Sequence, residues 1–268
     1  MISSTSNPLV KRARSLRQRK ARRREGAFVV EGPRGFLAAV ESGARIEAVL
    51  HAPDLLTSDL VAAAILRLAA GGTRVEELSK AVFERVSERD NPTGIAAIVT
   101  DPVIDAADMP ARAKAVYVAL VGVSDPGNLG AVTRTVDAVG GDGLLLVGDT
   151  TDPTHPTAVK ASMGALFTVP CARLRDLEAL LEWSRDRGLT AVGTSAHAER
   201  GAWQIDLRPP LLLVMGPERE GLDGAALAAL DSAVSLPMKG GATSLNLAVA
   251  TGALLYESLR QSEARREG

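Results

Sequence analysis

The chain has 268 residues, of which 46% are hydrophobic, 24% are charged and 3% are aromatic. Its longest near-continuous apolar run, 115–123, is far shorter than the roughly 20 residues of a membrane-spanning helix, so we expect no membrane span. A single cysteine excludes a disulfide framework, and with only three scattered histidines we expect no metal site.

The net charge of −1 conceals an uneven distribution. Residues 1–24, which we call the arm, hold nine Lys or Arg and no acid, whereas the other 244 residues hold 22 bases and 32 acids. Asn7 is a good N-cap, Pro8 suits the first helical position and Gly26 suits a stop, so the arm is predicted to be a helix. A basic arm on an acidic body favours a polyanionic partner.

Arginines spaced along such a helix can contact phosphates and release counterions. The candidate RNA-binding residues are Lys11, Arg12, Arg14, Arg19 and Arg23. Two other interpretations stay open: a merely solvated face, and an organellar transit peptide. A secretory signal is not expected, because no apolar stretch follows the charges.

Four short apolar runs follow the arm and alternate with predicted helices near 34–42, 57–70 and 79–86. They read FVVEG, IEAVLH, RVEEL and GIAAIV. This alternation predicts an α/β unit with a largely parallel sheet. The segment 101–113 has two prolines and no periodicity, so it is the predicted linker between a domain of 1–100 and a domain of 114–268.

The second domain repeats the α/β alternation with longer apolar runs. The predicted strands are VYVALVGV, GLLLVG, LTAVGT, PLLLVMG and AVSLPM, and the predicted helices cover 129–139, 174–187, 223–230 and 244–261. Strands that are apolar on successive residues are typical of a parallel sheet covered on both faces. Ligands of such sheets bind outside the carboxyl ends of the strands.

Three loops after predicted strands carry polar residues that could do chemistry. They are SDPGNLGAVTRT (124–135), LLLVMGPEREGL (211–222) and LPMKGGATSLNLAVATGALLYE (236–257). The candidate catalytic residues in them are Asn128, Arg134, Glu218, Ser244 and Asn246. Each loop alone also has a structural interpretation, for example Ser244 as an N-cap. No Walker A loop or GxGxxG fingerprint is present in the first loop.

Together, in this order and spacing, the loops resemble the three motifs of the SpoU (TrmH) family of RNA ribose 2′-O-methyltransferases. The segment FVVEGPRGFLAAVESG is similar to that family's N-terminal substrate-binding module. The resemblance implies an L30e-like α/β domain followed by a SPOUT methyltransferase domain with a deep trefoil knot. It also implies a homodimer, to which the small residues Ala248, Ala250 and Gly252 could contribute a closely packed helix, and a cytoplasmic location.

The resemblance further implies S-adenosylmethionine as cofactor. By motif position, the cofactor-binding residues would be Thr194, Gly216, Leu236 and Leu245. The expected reaction is methylation of a ribose 2′-hydroxyl in structured RNA, with 23S ribosomal RNA as the first expectation. A transfer RNA substrate and a non-catalytic, ribosome-associated RNA-binding protein are the alternatives. A Rossmann-type methyltransferase is not favoured, because it would need a glycine-rich loop after its first strand and none is seen in that arrangement. A C5-pyrimidine methyltransferase is not favoured either, because it would need a catalytic cysteine, and Cys171 lies far from the three loops in sequence.

The family assigns base catalysis to the arginine that matches Arg134. Because a guanidinium stays protonated well above neutral pH, we expect Arg134 to grip a phosphate and stabilise the developing alkoxide instead. Asn128 and Asn246 would orient Arg134 and the ribose. Glu218 would fix the guanidinium or a loop, and Ser244 would hold the turn of the third motif.

Overall fold

A computed structural model describes residues 1–264. The chain divides into two units. Unit 1 comprises Met1–Pro102 together with Asp152–Phe167, and unit 2 comprises Val103–Thr151 together with the chain from Thr168 onward. The division therefore differs from the predicted boundaries, because a segment from the middle of the predicted second domain belongs to unit 1.

The arm forms two helices rather than the single predicted one, α1 (Pro8–Ser15) and α2 (Arg19–Glu25). The predicted start is confirmed, because the Asn7 side chain accepts a hydrogen bond from the Leu9 amide. The predicted end is confirmed as well, since Gly26 is left-handed at φ 58°. The buried side chains of the arm join the core of unit 1, and they include Leu9, Val10, Ala13 and Leu16.

Unit 1 contains a four-stranded sheet in the order β1-β4-β2-β3. Its strands are β1 (Ala27–Glu31), β2 (Ile46–His51), β3 (Arg74–Glu77) and β4 (Ile95–Thr100), and its helices include α3 (Pro33–Glu41), α4 (Asp59–Ala70) and α5 (Lys80–Val86). The prediction of a largely parallel sheet is wrong here. β4 inserts between β1 and β2 and runs antiparallel to both, so only β2 and β3 are parallel.

The segment 152–167 completes the core of unit 1. It carries α7 (Pro156–Ser162), which was not predicted from the sequence. Val159 and Leu166 are buried in the same cluster as Phe28 and Phe36. The rings of Phe167 and Phe28 stack with their centroids 6.2 Å apart. Because its apolar side chains are buried among those of residues 28 and 36, the segment is an integral part of unit 1.

Unit 2 contains a six-stranded sheet in the order β10-β8-β9-β5-β6-β7, in which every pair of neighbours is parallel. Its strands are β5 (Val116–Val121), β6 (Gly143–Val147), β7 (Cys171–Leu174), β8 (Thr190–Thr194), β9 (Leu211–Met215) and β10 (Ser232–Val234). Its helices are α6 (Pro126–Ala138), α8 (Leu177–Asp186), α9 (Gly224–Ala228) and α10 (Leu247–Glu263). The prediction of a parallel sheet is confirmed in this unit.

The predicted linker is not an exposed connection. Ile104 forms a parallel bridge with Ala172, and Ala106 and Met109 are buried in the core of unit 2. The carbonyl of Ala106 accepts a hydrogen bond from the Trp183 indole at 2.8 Å. Prolines and a lack of periodicity therefore indicated an irregular segment correctly, but this segment packs onto unit 2 through Ile104, Ala106 and Met109.

Residues 1–264 contain neither a membrane-spanning helix nor a cluster of metal-ligating side chains. No helix in that range is long and apolar enough to cross a membrane. In the same range, no group of three or more His, Cys, Asp or Glu side chains is arranged to hold a metal ion.

Candidate active site

The parallel order of unit 2 brings the three polar loops to one edge of the sheet. β5 and β9 are neighbours, and β8 separates β9 from β10. Because the loops follow the carboxyl ends of β5, β9 and β10, they emerge at the same edge. Asp125 caps α6 by accepting a hydrogen bond from the Asn128 amide at 2.7 Å, and this fixes Asn128 in the first turn.

Three side chains, one from each loop, form a hydrogen-bonded chain that we call the amide relay. The Asn246 side-chain oxygen accepts from the Ala248 and Val249 amides, which caps α10. Asn246 Nδ2 donates to Asn128 Oδ1 at 2.8 Å. Asn128 Nδ2 donates to Glu218 Oε1 at 3.0 Å. The helix cap sets the orientation of the first amide, and the donor–acceptor order then sets the second.

Arg134 lies on the exposed side of α6 and, within residues 1–264, forms no hydrogen bond or ion pair. It is six residues beyond Asn128, which turns it by about 240° around the helix axis. The expected hydrogen bonds from Asn128 and Asn246 to Arg134 are therefore not formed, and Glu218 bonds Asn128 instead. The guanidinium faces outward with its five donors unused.

Ser244 does not have its expected local role. It is exposed and has no hydrogen bond among the residues that the structure describes. α10 begins three residues later than predicted, because Asn246 supplies the N-cap. Ser244 lies instead in the wall of the cavity described next.

A cavity of about 410 Å³ opens between the loops that follow β8, β9 and β10. All four predicted cofactor-binding residues line it, together with Glu218 and Ser244. Apolar side chains form much of its wall, and they include Met215, Leu222, Val234, Leu236, Leu247 and Leu254. Volume and lining are typical of a small-molecule site.

Two details of the wall refine the predicted roles. An added Cβ at Gly216 would lie 2.4 Å from the Leu222 amide nitrogen, so only glycine lets the loop fold back over the strand end. The Thr194 hydroxyl hydrogen is not available to a ligand, since it is donated to the Val214 carbonyl at 3.3 Å. Ser195 and His197 also line the cavity and were missed, although they follow a predicted strand at this edge.

The cavity fits S-adenosylmethionine by its chemistry. Apolar walls suit the adenine ring, and hydroxyl and backbone groups at strand ends suit ribose and amino-acid groups. The Glu218 carboxylate lies in the same wall and suits a cofactor that carries positive charge. The predicted cofactor residues are thus brought together by the structure.

α6 packs against α10 within the same chain, and the small residues of α10 serve this contact in part. A Cβ at Gly252 would lie 3.6 Å from the Thr135 methyl group. The outward face of α10 carries Val249 and Tyr256, which are 57% and 55% exposed, with Ala253 exposed between them. This apolar face is formed by residues other than the small ones singled out in the sequence.

The five candidate RNA-binding residues of the arm fall into two groups. Lys11, Arg14, Arg19 and Arg23 are exposed. Arg12 donates instead to Glu25 at 2.8 Å and to Glu47 at 2.7 Å. The Arg12 hydrogen bond is the main reason that the pKa of Glu25 lies below its usual value. Arg12 therefore stabilises the fold of unit 1 rather than extending into solvent.

Comparison with known proteins bears on both units. Residues 115–256 match the model of the SpoU rRNA Methylase family. Residues 7–97 match the MRM3-like substrate binding domain. A 23S rRNA (uridine(2479)-2′-O)-methyltransferase of Streptomyces viridochromogenes is 33% identical over 254 residues, which cover 92% of this chain and 87% of that protein.

Two solved structures agree with the whole fold. The AdoMet-bound rRNA methyltransferase from Sinorhizobium meliloti has a TM-score of 0.88 and 34% identity, with 97% of each chain covered. The SpoU methyltransferase AviRb from Streptomyces viridochromogenes, in complex with AdoMet, has a TM-score of 0.84 and 30% identity, covering 95% of this chain and 98% of that one. With its three motifs meeting at one edge of a parallel sheet, the chain belongs to the SpoU rRNA methylase family.

Proposed function

We propose that this protein transfers a methyl group from S-adenosylmethionine to a ribose 2′-hydroxyl of 23S ribosomal RNA. The observation that supports this most is the amide relay, which joins one polar side chain from each motif and ends on Glu218 in the cavity wall. A non-catalytic RNA-binding protein would have no need for such a network. The AdoMet-bound relatives support the cofactor.

S-adenosylmethionine, when bound, supplies a methyl group that is already activated by its sulfonium. The protein then has to position the 2′-oxygen and help it to lose its proton. Arg134 does this by binding the adjacent phosphate with two donors and stabilising the developing oxyanion. Phosphate or water takes the proton, because the guanidinium has no acceptor site.

The relay holds the reacting groups in place. Asn128 and Asn246 join the start of α6 to the start of α10, and Glu218 joins the loop after β9 to Asn128. Glu218 Oε2 and the second amide hydrogens remain for the ribose or the cofactor. Ser244 acts from the cavity wall, as a contact to substrate or cofactor.

Ribosomal RNA is the better substrate class. Unit 1 matches a substrate binding domain, which suits a folded target that is recognised by shape. Only 3% of the residues are aromatic, so phosphate contacts carry more of the affinity than base stacking. A transfer RNA is the second candidate, since one relative 33% identical over 98% of this chain is described as a tRNA/rRNA methyltransferase.

The finer features of the family are part of this proposal. An L30e-like domain of residues 1–100, completed by the segment 152–167, precedes a SPOUT domain within residues 114–268 that contains a deep trefoil knot. The enzyme acts in the cytoplasm, where its ribosomal RNA is. Two copies associate through the apolar face of α10 formed by Val249, Ala253 and Tyr256, because such a face is otherwise left in water.

The direct test is a map of 2′-O-methylation in 23S ribosomal RNA from cells without the gene, complemented with the wild-type chain or with Arg134→Ala. We expect one methylated ribose to be lost in the deletion and restored by the wild type alone. Purified Arg134→Ala should still bind S-adenosylmethionine in calorimetry. Identical maps in all strains would contradict the substrate, and full turnover by Arg134→Ala would contradict the mechanism.

The dimer is tested separately by light scattering. Tyr256→Asp places a charge on the apolar face of α10 and should shift the protein from twice the chain mass to the chain mass. Leu66→Asp on α4, where Leu66 is 72% exposed, is the matched control and should leave the mass unchanged. A dimeric Tyr256→Asp would contradict the proposed interface.

A further inference from the structure

The nine bases of the arm do not all serve the same purpose. The guanidinium groups of Arg12, Arg17 and Arg22 bind other parts of unit 1, and that of Arg24 pairs with the neighbouring Glu25. Lys11 and Arg14, by contrast, are exposed, and their side chains form no hydrogen bond or ion pair within the described range of 1–264. They lie three residues apart on α1 and therefore on one face of it.

A groove of about 390 Å³ lies where α1 meets α2. Lys11, Arg14, Ser15, Arg17 and Gln18 line it, and no acidic residue does. Arg17 forms one wall, and its guanidinium is held in place by the carbonyls of Val86 and Ser87, both at 2.7 Å, and by the Glu88 carboxylate at 3.3 Å. The groove thus has two exposed cations, Lys11 and Arg14, beside a third, Arg17, that is fixed and paired with Glu88.

The end of a helix normally disfavours anions, because its last carbonyls carry partial negative charge. Here that charge is compensated from inside the protein. Arg22 Nη1 donates to the Leu16 carbonyl at 3.2 Å and to the Arg17 carbonyl at 2.6 Å. The Ser15 hydroxyl donates to the Arg12 carbonyl at 2.8 Å. The positive charge at the rim of the groove is therefore not cancelled by the helix end.

We propose that this α1–α2 groove binds the backbone phosphates of the RNA substrate, with Lys11 and Arg14 as the contacting side chains and Arg17 as the fixed wall. The inference rests on the proposed function, in that RNA is the substrate. Exposed cations that the fold does not use, gathered around a groove without acids, match the regular anionic charge of an RNA strand.

The arm cannot be tested by deletion. Leu9, Val10, Ala13 and Leu16 belong to the core of unit 1, so removal of residues 1–24 would unfold the unit as well as remove its charge. Point variants at exposed positions avoid this. We choose Lys11→Gln/Arg14→Gln, with Arg45→Gln/Arg67→Gln as a matched control. Arg45 and Arg67 are exposed bases of unit 1 outside the groove.

The experiment measures binding of unmodified 23S ribosomal RNA transcripts as a function of salt, together with methyl transfer and thermal unfolding. Loss of two phosphate contacts should reduce the slope of log K against log salt by about 1.4–1.8. It should also raise Kd at physiological salt by roughly 15- to 30-fold, which is this change of slope applied between about 1 M and 0.15 M salt. The control should change both by much less, and both variants should keep the melting temperature of the wild type.

Equal slopes for the groove variant and the control, in proteins that stay folded, would overturn the groove as an RNA site. At subsaturating RNA the groove variant should methylate more slowly than the wild type, in proportion to its weaker binding, whereas the Arg45→Gln/Arg67→Gln control should keep the wild-type rate. If the wild type methylated no RNA at all, the proposed function would fail, and that result is separate from any change in slope.

Discussion

Two polar networks, one in each unit, show how the same kinds of groups serve opposite purposes. In unit 1, Arg22 and Asp152 form an ion pair at 2.8 Å in which both side chains are at most 5% exposed. In unit 2, the amide relay of Asn246, Asn128 and Glu218 lies at the surface, with Asn246 and Glu218 exposed. One network is closed to solvent and the other is open to it.

The buried pair is complete within the fold. Arg22 uses Nε, Nη1 and Nη2, and Asp152 Oδ1 accepts from both the amide and the hydroxyl of Thr154. The relay is incomplete, since it leaves carboxylate and amide groups without partners. A network that satisfies itself stabilises a fold, whereas one that stops short leaves groups for a ligand.

The largest expected effect is on stability, from Arg22→Ala. Removal of one partner leaves the Asp152 charge buried and unpaired, which costs about 3–5 kcal/mol of unfolding free energy. Urea unfolding measures this, and Arg23→Ala, an exposed neighbour, is the control, with an expected change below about 0.5 kcal/mol. Methyl transfer per folded molecule of Arg22→Ala should stay equal to that of the wild type. A loss as small as that of the control would show that the pair is not structural.

The same pair predicts a pH dependence. Burial raises the pKa of Asp152, but the hydrogen bonds from Thr154 and Arg22 outweigh it and hold the pKa below the ordinary 3.8. The stability from this carboxylate is therefore fully present above about pH 4 and is lost as the pH falls through the lowered pKa. The stability advantage of the wild type over Asp152→Asn should shrink below about pH 4. A constant difference down to about pH 2 would contradict this.

The second largest effect is expected at the loop that carries Glu218. Gly216→Ala places a Cβ against the Leu222 amide, so the loop after β9 has to move away from the relay and the cavity. Such overpacking costs about 1–3 kcal/mol, and we expect S-adenosylmethionine to bind about tenfold more weakly or worse in calorimetry. Gly240→Ala, whose Cβ would meet no atom within 4 Å, should bind normally. If the two variants bound S-adenosylmethionine with equal affinity, Gly216 would not be part of the cofactor site.

The smallest effect distinguishes the two asparagines of the relay. Asn246→Ala removes a helix cap as well as the relay, and should cost about 1 kcal/mol of stability. Asn128→Ala removes the relay alone and should cost less than about 0.5 kcal/mol. Both should lower kcat, whereas neither should change S-adenosylmethionine affinity as much as Gly216→Ala. Full kcat in Asn128→Ala would show that the relay only joins loops.

Sequence patterns located the strands and loops of unit 2 well. Its strands are buried on both faces and therefore apolar at successive positions, and each is followed by a recognisable loop. β7 was missed, because its four residues, Cys171–Leu174, include a charged side chain. The helix α7 was missed too, since its apolar residues pack on distant parts of the chain, among them Phe28 and Phe36.

In unit 1, the alternation of strands and helices was predictable, but the strand direction was not. Apolar alternation is the same for either direction, and β4 runs antiparallel because it returns between β1 and β2. The break between α1 and α2 has a similar cause. Arg22 reaches back to the carbonyls of Leu16 and Arg17, an interaction that sequence spacing does not indicate.

The sequence by itself determined the class of the protein, because motif residues, helix caps and strand patterns are local properties of the chain. It named the residues of the candidate site and of the basic arm. Only the tertiary structure decided what each of them does. Hydrogen-bond partners and burial depend on segments far apart in the chain, such as Asn128 with Asn246 and Arg22 with Asp152. For this reason, Arg22 of the arm is buried and structural while Arg23, the next residue, is exposed.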